Sequence, residues 1–296
     1  MAKPFTLRFN ATKEEEGILL REFLSRKRVS KAALTDIKFR GGKIMVNERV
    51  ENVRYIIQPE DRIVIQYPPE TGSEQMKGDD IPLSIVYEDD YVLVIEKPAG
   101  MSTIPSREHP TRSLANAIVH YYEQIGHLAA VHIVTRLDRD TSGLVLIAKH
   151  RHIHHLFSLS QQEKSVSREY IAFVEGHVQP SEGKVDRPIG RMGDSIIKRE
   201  VRPDGQSAVT LYRTIRCFTS YSLVRLKLLT GRTHQIRVHM SDLGHPLLGD
   251  DLYGGSRTLI ARQALHCGTL MFKHPITGEQ LQFNSAIPTD MQGLMK

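Results

Sequence analysis

The chain has 296 residues, 40% of them hydrophobic and 25% charged, which is typical of a folded globular protein of one or two domains. Its two cysteines imply neither a disulfide framework nor a cysteine-based zinc site, and no run approaches the roughly 20 apolar residues of a membrane span. The 40 Lys and Arg residues outnumber the 34 Asp and Glu residues, which favours a polyanionic partner without establishing one. We expect a cytoplasmic protein that does not bind a membrane.

Residues 1–67 have the pattern of a small α/β domain. Apolar residues recur at helical spacing over residues 18–24, and a second short helix is predicted over residues 31–37. Residues 43–47 are predicted to form a strand, and residues 62–67 alternate apolar and polar side chains as a further strand does.

A linker and a larger domain follow the first domain. Residues 68–82 are rich in proline, glycine and charged residues, a composition that does not form a core. Over residues 83–296, short apolar runs and alternating runs are separated by turns, which predicts an α+β domain with a mixed or antiparallel sheet. Strands are predicted over residues 92–95, 144–147, 208–215 and 221–229, and helices over residues 113–122, 153–161 and 233–243.

Basic residues cluster on the two helices of the first domain and the strand after them. We predict that five of them bind RNA phosphates: Arg26, Lys27, Arg28, Lys31 and Lys43. A solvated helix surface is the alternative and is the usual explanation of a charge run. The helix-helix-strand order, followed by Val-Asn-Glu-Arg-Val, resembles an S4-like RNA-binding domain over about the first seventy residues.

The most informative segment of the chain is the polar loop at residues 135–143, directly before an apolar strand. Asp138 lies between Arg136 and Arg139, and positive neighbours favour the ionised carboxylate. An ionised carboxylate suits a nucleophile or a base better than a proton donor. Asp140 is a candidate second carboxylate for acid-base work, but we favour its role as a turn partner in the loop.

A second polar stretch, residues 229–240, begins where a predicted strand ends. Thr230 or Thr233 is predicted to cap the helix that follows. Arg232 and Arg237 are then placed to bind a carboxylate or a phosphate. A surface helix with incidental charge is the alternative, which the many polar residues of this stretch disfavour.

Together these stretches resemble the RluA-type family of RNA pseudouridine synthases, and the similarity runs from about residue 83 to the C-terminus. Seven segments carry it in the family's order: residues 97–100, 136–143, 167–170, 187–191, 230–237, 244–250 and 274–279. One departure is that Thr135 stands where the family's loop has a histidine.

The resemblance implies an isomerase that converts uridine to pseudouridine in structured ribosomal or transfer RNA. It implies Asp138 as the catalytic carboxylate, paired with Arg237, and Tyr170 as a ring that stacks on the freed base. By pattern alone, we would interpret Tyr170 as a sheet residue that packs on its neighbours. Arg136 and Arg232 are the expected substrate contacts. Whether the carboxylate attacks the sugar, abstracts a sugar proton or adds to uracil C6 stays open.

The expected reaction needs neither a cofactor nor a metal, because nothing is oxidised and no group is imported. A monomer is expected. The alternatives are a non-catalytic RNA-binding or ribosome-assembly factor, and a glycosylase that shares the first step but releases free uracil.

Overall fold

The computed structural model describes residues 4–70, 72, 76–106, 109–127 and 129–296. Part of the predicted linker, residues 71 and 73–75, lies outside the described residues. Among the helices of the described residues, none combines the length and the apolar character that crossing a membrane requires.

The first domain is a four-stranded antiparallel sheet with two helices and its own hydrophobic core. Its elements are β1 (Thr6–Asn10), α1 (Leu20–Arg26), α2 (Lys31–Phe39), β2 (Lys43–Val46), β3 (Arg49–Val50) and β4 (Arg62–Gln66), with strand order β1-β4-β2-β3. The predicted helices and strands are present with small shifts of their ends. The Ser30 hydroxyl caps α2 by accepting the N–H of Ala33 at 3.1 Å.

The second domain is built on one large sheet with helices packed against it. Its helices are α3 (Leu114–Gln124), α4 (Arg151–Gln162), α5 (Gln235–Asp242) and α6 (Thr289–Gln292). Its strands are β5 (Ser84–Glu88), β6 (Val92–Lys97), β7 (His132–Ile133), β8 (Ser142–Ala148), β9 (Ser167–Glu175), β10 (Glu182–Asp186), β11 (Ile189–Arg191), β12 (Arg199–Val201), β13 (Val209–Cys217), β14 (Tyr221–Leu228), β15 (Leu265–Lys273) and β16 (Gln280–Asn284).

The large sheet has the strand order β10-β13-β14-β9-β15-β8-β6-β5, with β7 also paired to β8 and β16 to β15. Every pair in it is antiparallel except β8 and β15, which are parallel. Strands β11 and β12 form a separate antiparallel ribbon. The predicted α+β class, with a mixed sheet and helices beside it, is confirmed.

The core of the second domain centres on β8, in which all seven residues are buried. This continuous apolar run is what a central strand covered on both faces requires. Helix α3 contributes Leu114, Ile118 and Tyr122, which repeat at the four-residue spacing of one helix face. The sheet therefore fixes β8 rigidly, and with it the polar loop that immediately precedes β8.

The two domains meet near both ends of α4. The Phe5 ring stacks on His150 with centroids 3.8 Å apart, and Arg28 pairs with Glu163 at 3.1 Å. Glu70, in the predicted linker, accepts hydrogen bonds from His132 Nε2 at 2.6 Å and from the N–H of Arg151 at 2.8 Å. Burial opposes ionisation of Glu70, but the His132 bond and nearby charges outweigh it and lower its pKa to about 2.

Candidate active site

The loop between β7 and β8 holds Asp138 at the surface of the sheet. The buried Thr103 hydroxyl donates to the carbonyl of Leu137 at 2.7 Å and accepts its N–H at 3.1 Å. Leu137 is buried, whereas the Asp138 side chain is 25% exposed and Arg136 is exposed. The anchored backbone therefore turns Leu137 inward and leaves the carboxylate accessible.

A buried lysine anchors the other side of this loop. The Lys97 ammonium donates to the carbonyls of Pro98 at 2.8 Å, Met101 at 2.7 Å and Arg139 at 3.1 Å. Burial lowers the pKa of Lys97 to about 7, although the charge of Asp138 opposes that shift. Because Arg139 directly follows Asp138, Lys97 ties the loop to the turn after β6.

Thr135, which replaces the family's histidine, is buried and structural here. Its hydroxyl accepts the N–H of Leu146 at 2.9 Å, and its own N–H donates to the carbonyl of Leu146 at 3.2 Å. These two bonds join the start of the loop to β8. They account for a hydroxyl residue at this position without giving it a chemical role.

Strand β15 brings Tyr170 next to the end of the loop. Cys267 on β15 is opposite Tyr170 of β9 on one side and opposite Gly143 of β8 on the other. Gly143 has φ +115°, and a β-carbon there would lie 2.3 Å from the Cys267 carbonyl oxygen. Only glycine fits at position 143, where β8 and β15 come this close together. Their close approach sets the distance between the loop and Tyr170.

Arg237 of α5 joins Asp138 to a second carboxylate. Its Nε and Nη2 donate to the two oxygens of Asp250 at 2.7 and 2.8 Å, and its Nη1 donates to Asp138 Oδ2 at 3.1 Å. Burial alone disfavours the guanidinium charge, but the bonds and charges of both carboxylates outweigh it and raise the pKa of Arg237. The arginine is held in one orientation, and so is Asp138.

The start of α5 differs from the prediction, because neither Thr230 nor Thr233 caps it. The N-cap residue is His234, in the left-handed region at φ 58°, with no side-chain cap bond. Its Nδ1 lies 2.8 Å from the Tyr253 hydroxyl, and its Nε2 is 3.9 Å from Asp138 Oδ2. Thr230 instead donates to Gln235 Oε1 at 2.7 Å. His234 is thus a neighbour of Asp138 that the sequence pattern did not identify.

The structure brings the five predicted site residues around one cavity. A cavity of ≈ 60 Å³ is lined by Arg136, Asp138, Tyr170, Arg232 and Arg237 among others. It adjoins a larger cleft of ≈ 960 Å³, which Arg136, Asp138 and Arg232 also line but Tyr170 and Arg237 do not. Tyr170 and Arg237 therefore form the inner wall, and the other three lie at the border with the cleft.

Asp250 is the main contact that sequence reasoning missed. It ends the Gly-His-Pro-Leu-Leu-Gly-Asp segment of residues 244–250, which was identified as a motif without a role for its carboxylate. Asp140, the weaker catalytic candidate, lines neither the cavity nor the cleft, and its carbonyl accepts Arg262 Nη1 at 3.0 Å.

The five basic residues predicted to bind RNA differ in whether they form ion pairs. Lys27 pairs with Glu15 at 2.8 Å, and Arg28 pairs with Glu163, which directly follows α4. Within the described residues, no ion pair involves the other three, which are exposed: Arg26, Lys31 and Lys43. Their RNA-binding role stays a prediction.

A loop-borne carboxylate, a buried arginine and a tyrosine around one cavity of an α+β sheet define a candidate enzyme active site. The family model described as RNA pseudouridylate synthase matches residues 91–242, which include all five predicted site residues. The chain belongs to this family. It is therefore an isomerase that forms pseudouridine in RNA, as the motifs predicted.

Relatives extend the similarity beyond the matched segment. The chain is 50% identical to "Uncharacterized RNA pseudouridine synthase YjbO" of Bacillus subtilis, over 94% of this chain and 98% of that protein. It is 41% identical to "Ribosomal large subunit pseudouridine synthase D" of Vibrio parahaemolyticus, over 84% and 81% of the two chains. The solved structure of human RNA pseudouridylate synthase domain containing 1 is similar with a TM-score of 0.58 and 26% identity, over 71% of this chain and 85% of that one.

Proposed function

We propose that this enzyme modifies uridine in large-subunit ribosomal RNA and that Asp138 is its catalytic carboxylate. The observation that carries the assignment is the placement of Asp138 Oδ2, 3.1 Å from Arg237 Nη1 at the border of a cavity walled by Tyr170. Attack on the sugar, abstraction of a sugar proton and addition to C6 all use a carboxylate oxygen, and Arg237 holds that of Asp138 in place. The relatives named ribosomal large subunit pseudouridine synthase D support this RNA over transfer RNA.

The other cavity residues have roles that follow from the reaction. The C1′–N1 bond breaks, the uracil turns, C1′ joins C5, the C5 proton is lost and N1 gains one. We assign Tyr170 to stack on the turning base; burial raises the pKa of its phenol, so the hydroxyl stays protonated at neutral pH. We assign Arg136 and Arg232, at the border, to the RNA around the flipped uridine, because flipping costs a few kcal/mol that such contacts offset.

For the rest of the chain we propose an S4-like RNA-binding domain over residues 1–67, a linker over residues 68–82 and the catalytic domain over residues 83–296. The separate core of the first domain supports this division. With ribosomal RNA as its substrate, we expect the enzyme to act in the cytoplasm.

The test compares pseudouridines in ribosomal RNA from cells with and without the protein, and from cells carrying Asp138→Asn. We expect at least one large-subunit position to lose pseudouridine in both altered strains, while purified Asp138→Asn still binds that RNA. Asp140→Asn is the matched control and retains activity, because Asp140 lines neither the cavity nor the cleft.

An active Asp138→Asn enzyme would refute the catalytic assignment. Loss of pseudouridine only from transfer RNA would refute large-subunit ribosomal RNA as the substrate. Release of free uracil by the purified enzyme would indicate a glycosylase, and loss of no pseudouridine would favour a non-catalytic factor.

A further inference from the structure

Arg168 of β9 is a cavity residue that has no role in the assignments above. It lies two residues before Tyr170, and residues two apart on a strand point to the same face of the sheet. Arg168 and Tyr170 both line the inner cavity. Arg168 also lines the larger cleft, as Asp138 does, so it lies at the border between the two.

The Arg168 guanidinium is unpaired within the described part of the chain. No ion pair there includes Arg168, and its Nε is buried without a hydrogen-bond acceptor. By contrast, Arg237 is bonded to two carboxylates, and Arg232 Nε donates to the carbonyl of Ser207 at 3.0 Å. A buried N–H without an acceptor costs free energy, so Arg168 is a donor that lacks its partner.

The surroundings leave space for this guanidinium, and two of its neighbours are uncharged. A β-carbon on Gly231 would lie 2.9 Å from Arg168 Nη2, so the glycine leaves room for the side chain. Burial raises the pKa of the neighbouring Cys267 thiol to about 11 and also raises that of the Tyr170 phenol, so both groups are neutral at pH 7. Within the described residues, the cavity therefore offers an unpaired cation beside the uncharged Tyr170 and Cys267, with Asp138 as the acidic residue in its lining.

We propose that Arg168 binds a phosphate of the target nucleotide at the mouth of the cavity. This rests on the proposed function, in which the base enters the cavity and Asp138 acts at its border. The phosphate is attached to the sugar of that same nucleotide, so a residue at the border with Asp138 is placed to reach it. A guanidinium presents paired donors that match phosphate oxygens, whereas a uracil carbonyl is uncharged.

The test measures affinity for an in vitro transcript of large-subunit ribosomal RNA against salt concentration, in an Asp138→Asn background that does not turn over. Adding Arg168→Gln is expected to weaken binding about tenfold, as loss of one charged hydrogen bond does. It is also expected to reduce the slope of log K against log salt by about 0.7 to 0.9, the loss of one phosphate contact. Arg168→Lys keeps the charge and is expected to keep the slope.

Arg213→Gln is the matched control, because Arg213 lies on β13 with its side chain 77% exposed and lines neither the cavity nor the cleft. Equal slopes for Arg168→Gln and Arg213→Gln would overturn the proposal, as would equal loss of slope in Arg168→Gln and Arg168→Lys. An unchanged slope with a slower single-turnover rate at saturating RNA, measured with Asp138 intact, would indicate a base contact instead. Pseudouridine formation by the wild type on this transcript tests the proposed function separately.

Discussion

The inner cavity and the basic face of the first domain both present cationic side chains, but they hold them differently. The basic face consists of Arg26, Lys27, Arg28, Lys31 and Lys43. The Arg237 side chain is 8% exposed and makes three hydrogen bonds to two carboxylates. Arg26, Lys31 and Lys43 are exposed and have no ion pair within the described residues. The cavity thus fixes one geometry, whereas the basic face offers charge without fixed geometry.

This difference has a consequence for mutation. Buried, hydrogen-bonded ion pairs are barely screened by salt, and removing one partner strands the other. Exposed cations act through counterion release, so their effects are graded and depend on salt. We therefore expect large, salt-independent losses where the buried ion pairs of Arg237 are broken, and small, salt-dependent losses at the basic face.

The largest effect is expected for Asp250→Asn. This change leaves the buried Arg237 with Asp138 as its remaining carboxylate partner, and breaking a buried pair costs about 3–5 kcal/mol. Arg237 is then free to reorient, so we also expect pseudouridine formation to be lost. Urea unfolding measures the first result, and a single-turnover assay measures the second.

The neighbouring Asp251→Asn is the control for this prediction. Its carboxylate is 67% exposed and pairs with Arg257, so its loss is expected to cost less than about 1 kcal/mol. Similar losses in the free energy of unfolding for Asp250→Asn and Asp251→Asn would show that burial does not make the first ion pair more stabilising than the second.

The sequence predicted most of the helices and strands well because their signals are local, whereas the cavity residues were predicted through the resemblance to a known family. The apolar run of β8 and the polar loop before it are both readable by pattern, and the ordered motifs placed Asp138, Tyr170 and Arg237 together. The α5 cap was predicted wrongly, because His234 adopts a left-handed conformation that composition does not reveal. The parallel pairing of β8 with β15 joins segments more than a hundred residues apart, which no local pattern indicates.

The predicted linker shows the same limit. Residues 68–82 have a composition that does not form a core, yet the Glu70 side chain is only 6% exposed and contacts His132 and His150. Burial of Glu70 depends on where β7 and α4 lie in space. The linker composition alone therefore cannot show that Glu70 joins the two domains.

A smaller effect, dependent on pH, is expected for Glu70→Gln at this junction. The folded-state pKa of Glu70 is about 2, below its ordinary value of 4.5, so the ionised form stabilises the fold above pH 4.5. That shift contributes about 3 kcal/mol to the free energy of unfolding, and this contribution is lost as the pH falls from 4.5 towards 2. Urea unfolding should show a difference between wild type and variant at pH 7 that shrinks below pH 4.5.

Glu163→Gln is the control, since its pair with Arg28 also joins the two domains but is exposed on both sides. Burial lowers the pKa of His150 to about 3 and that of His152 to about 4, so both histidines destabilise the fold as the pH falls below about 6.5. For this reason the difference between wild type and variant is the quantity to measure. A difference that stays constant between pH 7 and pH 3 would contradict the assignment to ionised Glu70.

The smallest effect is expected at the basic face, for the triple change of Arg26, Lys31 and Lys43 to Gln. If each binds a phosphate, the slope of log K against log salt falls by about 2, and affinity falls most at low salt. The rate at saturating RNA should not change, because none of the three lines the cavity. An unchanged slope would show that these three residues do not contact RNA phosphates.

The paired change of Lys27 and Arg28 to Gln tests the comparison inside the basic face itself. Both cations already face carboxylates, so part of their charge is neutralised before RNA arrives. We expect a smaller loss of slope per residue than in the triple change, measured on the same RNA. However, the Arg28–Glu163 pair is exposed on both sides, and such pairs are worth only about 0–1 kcal/mol, so a phosphate competes easily with Glu163. Equal loss per residue would mean that these pairs open on binding, and the distinction between paired and free cations would then apply only in the buried cavity.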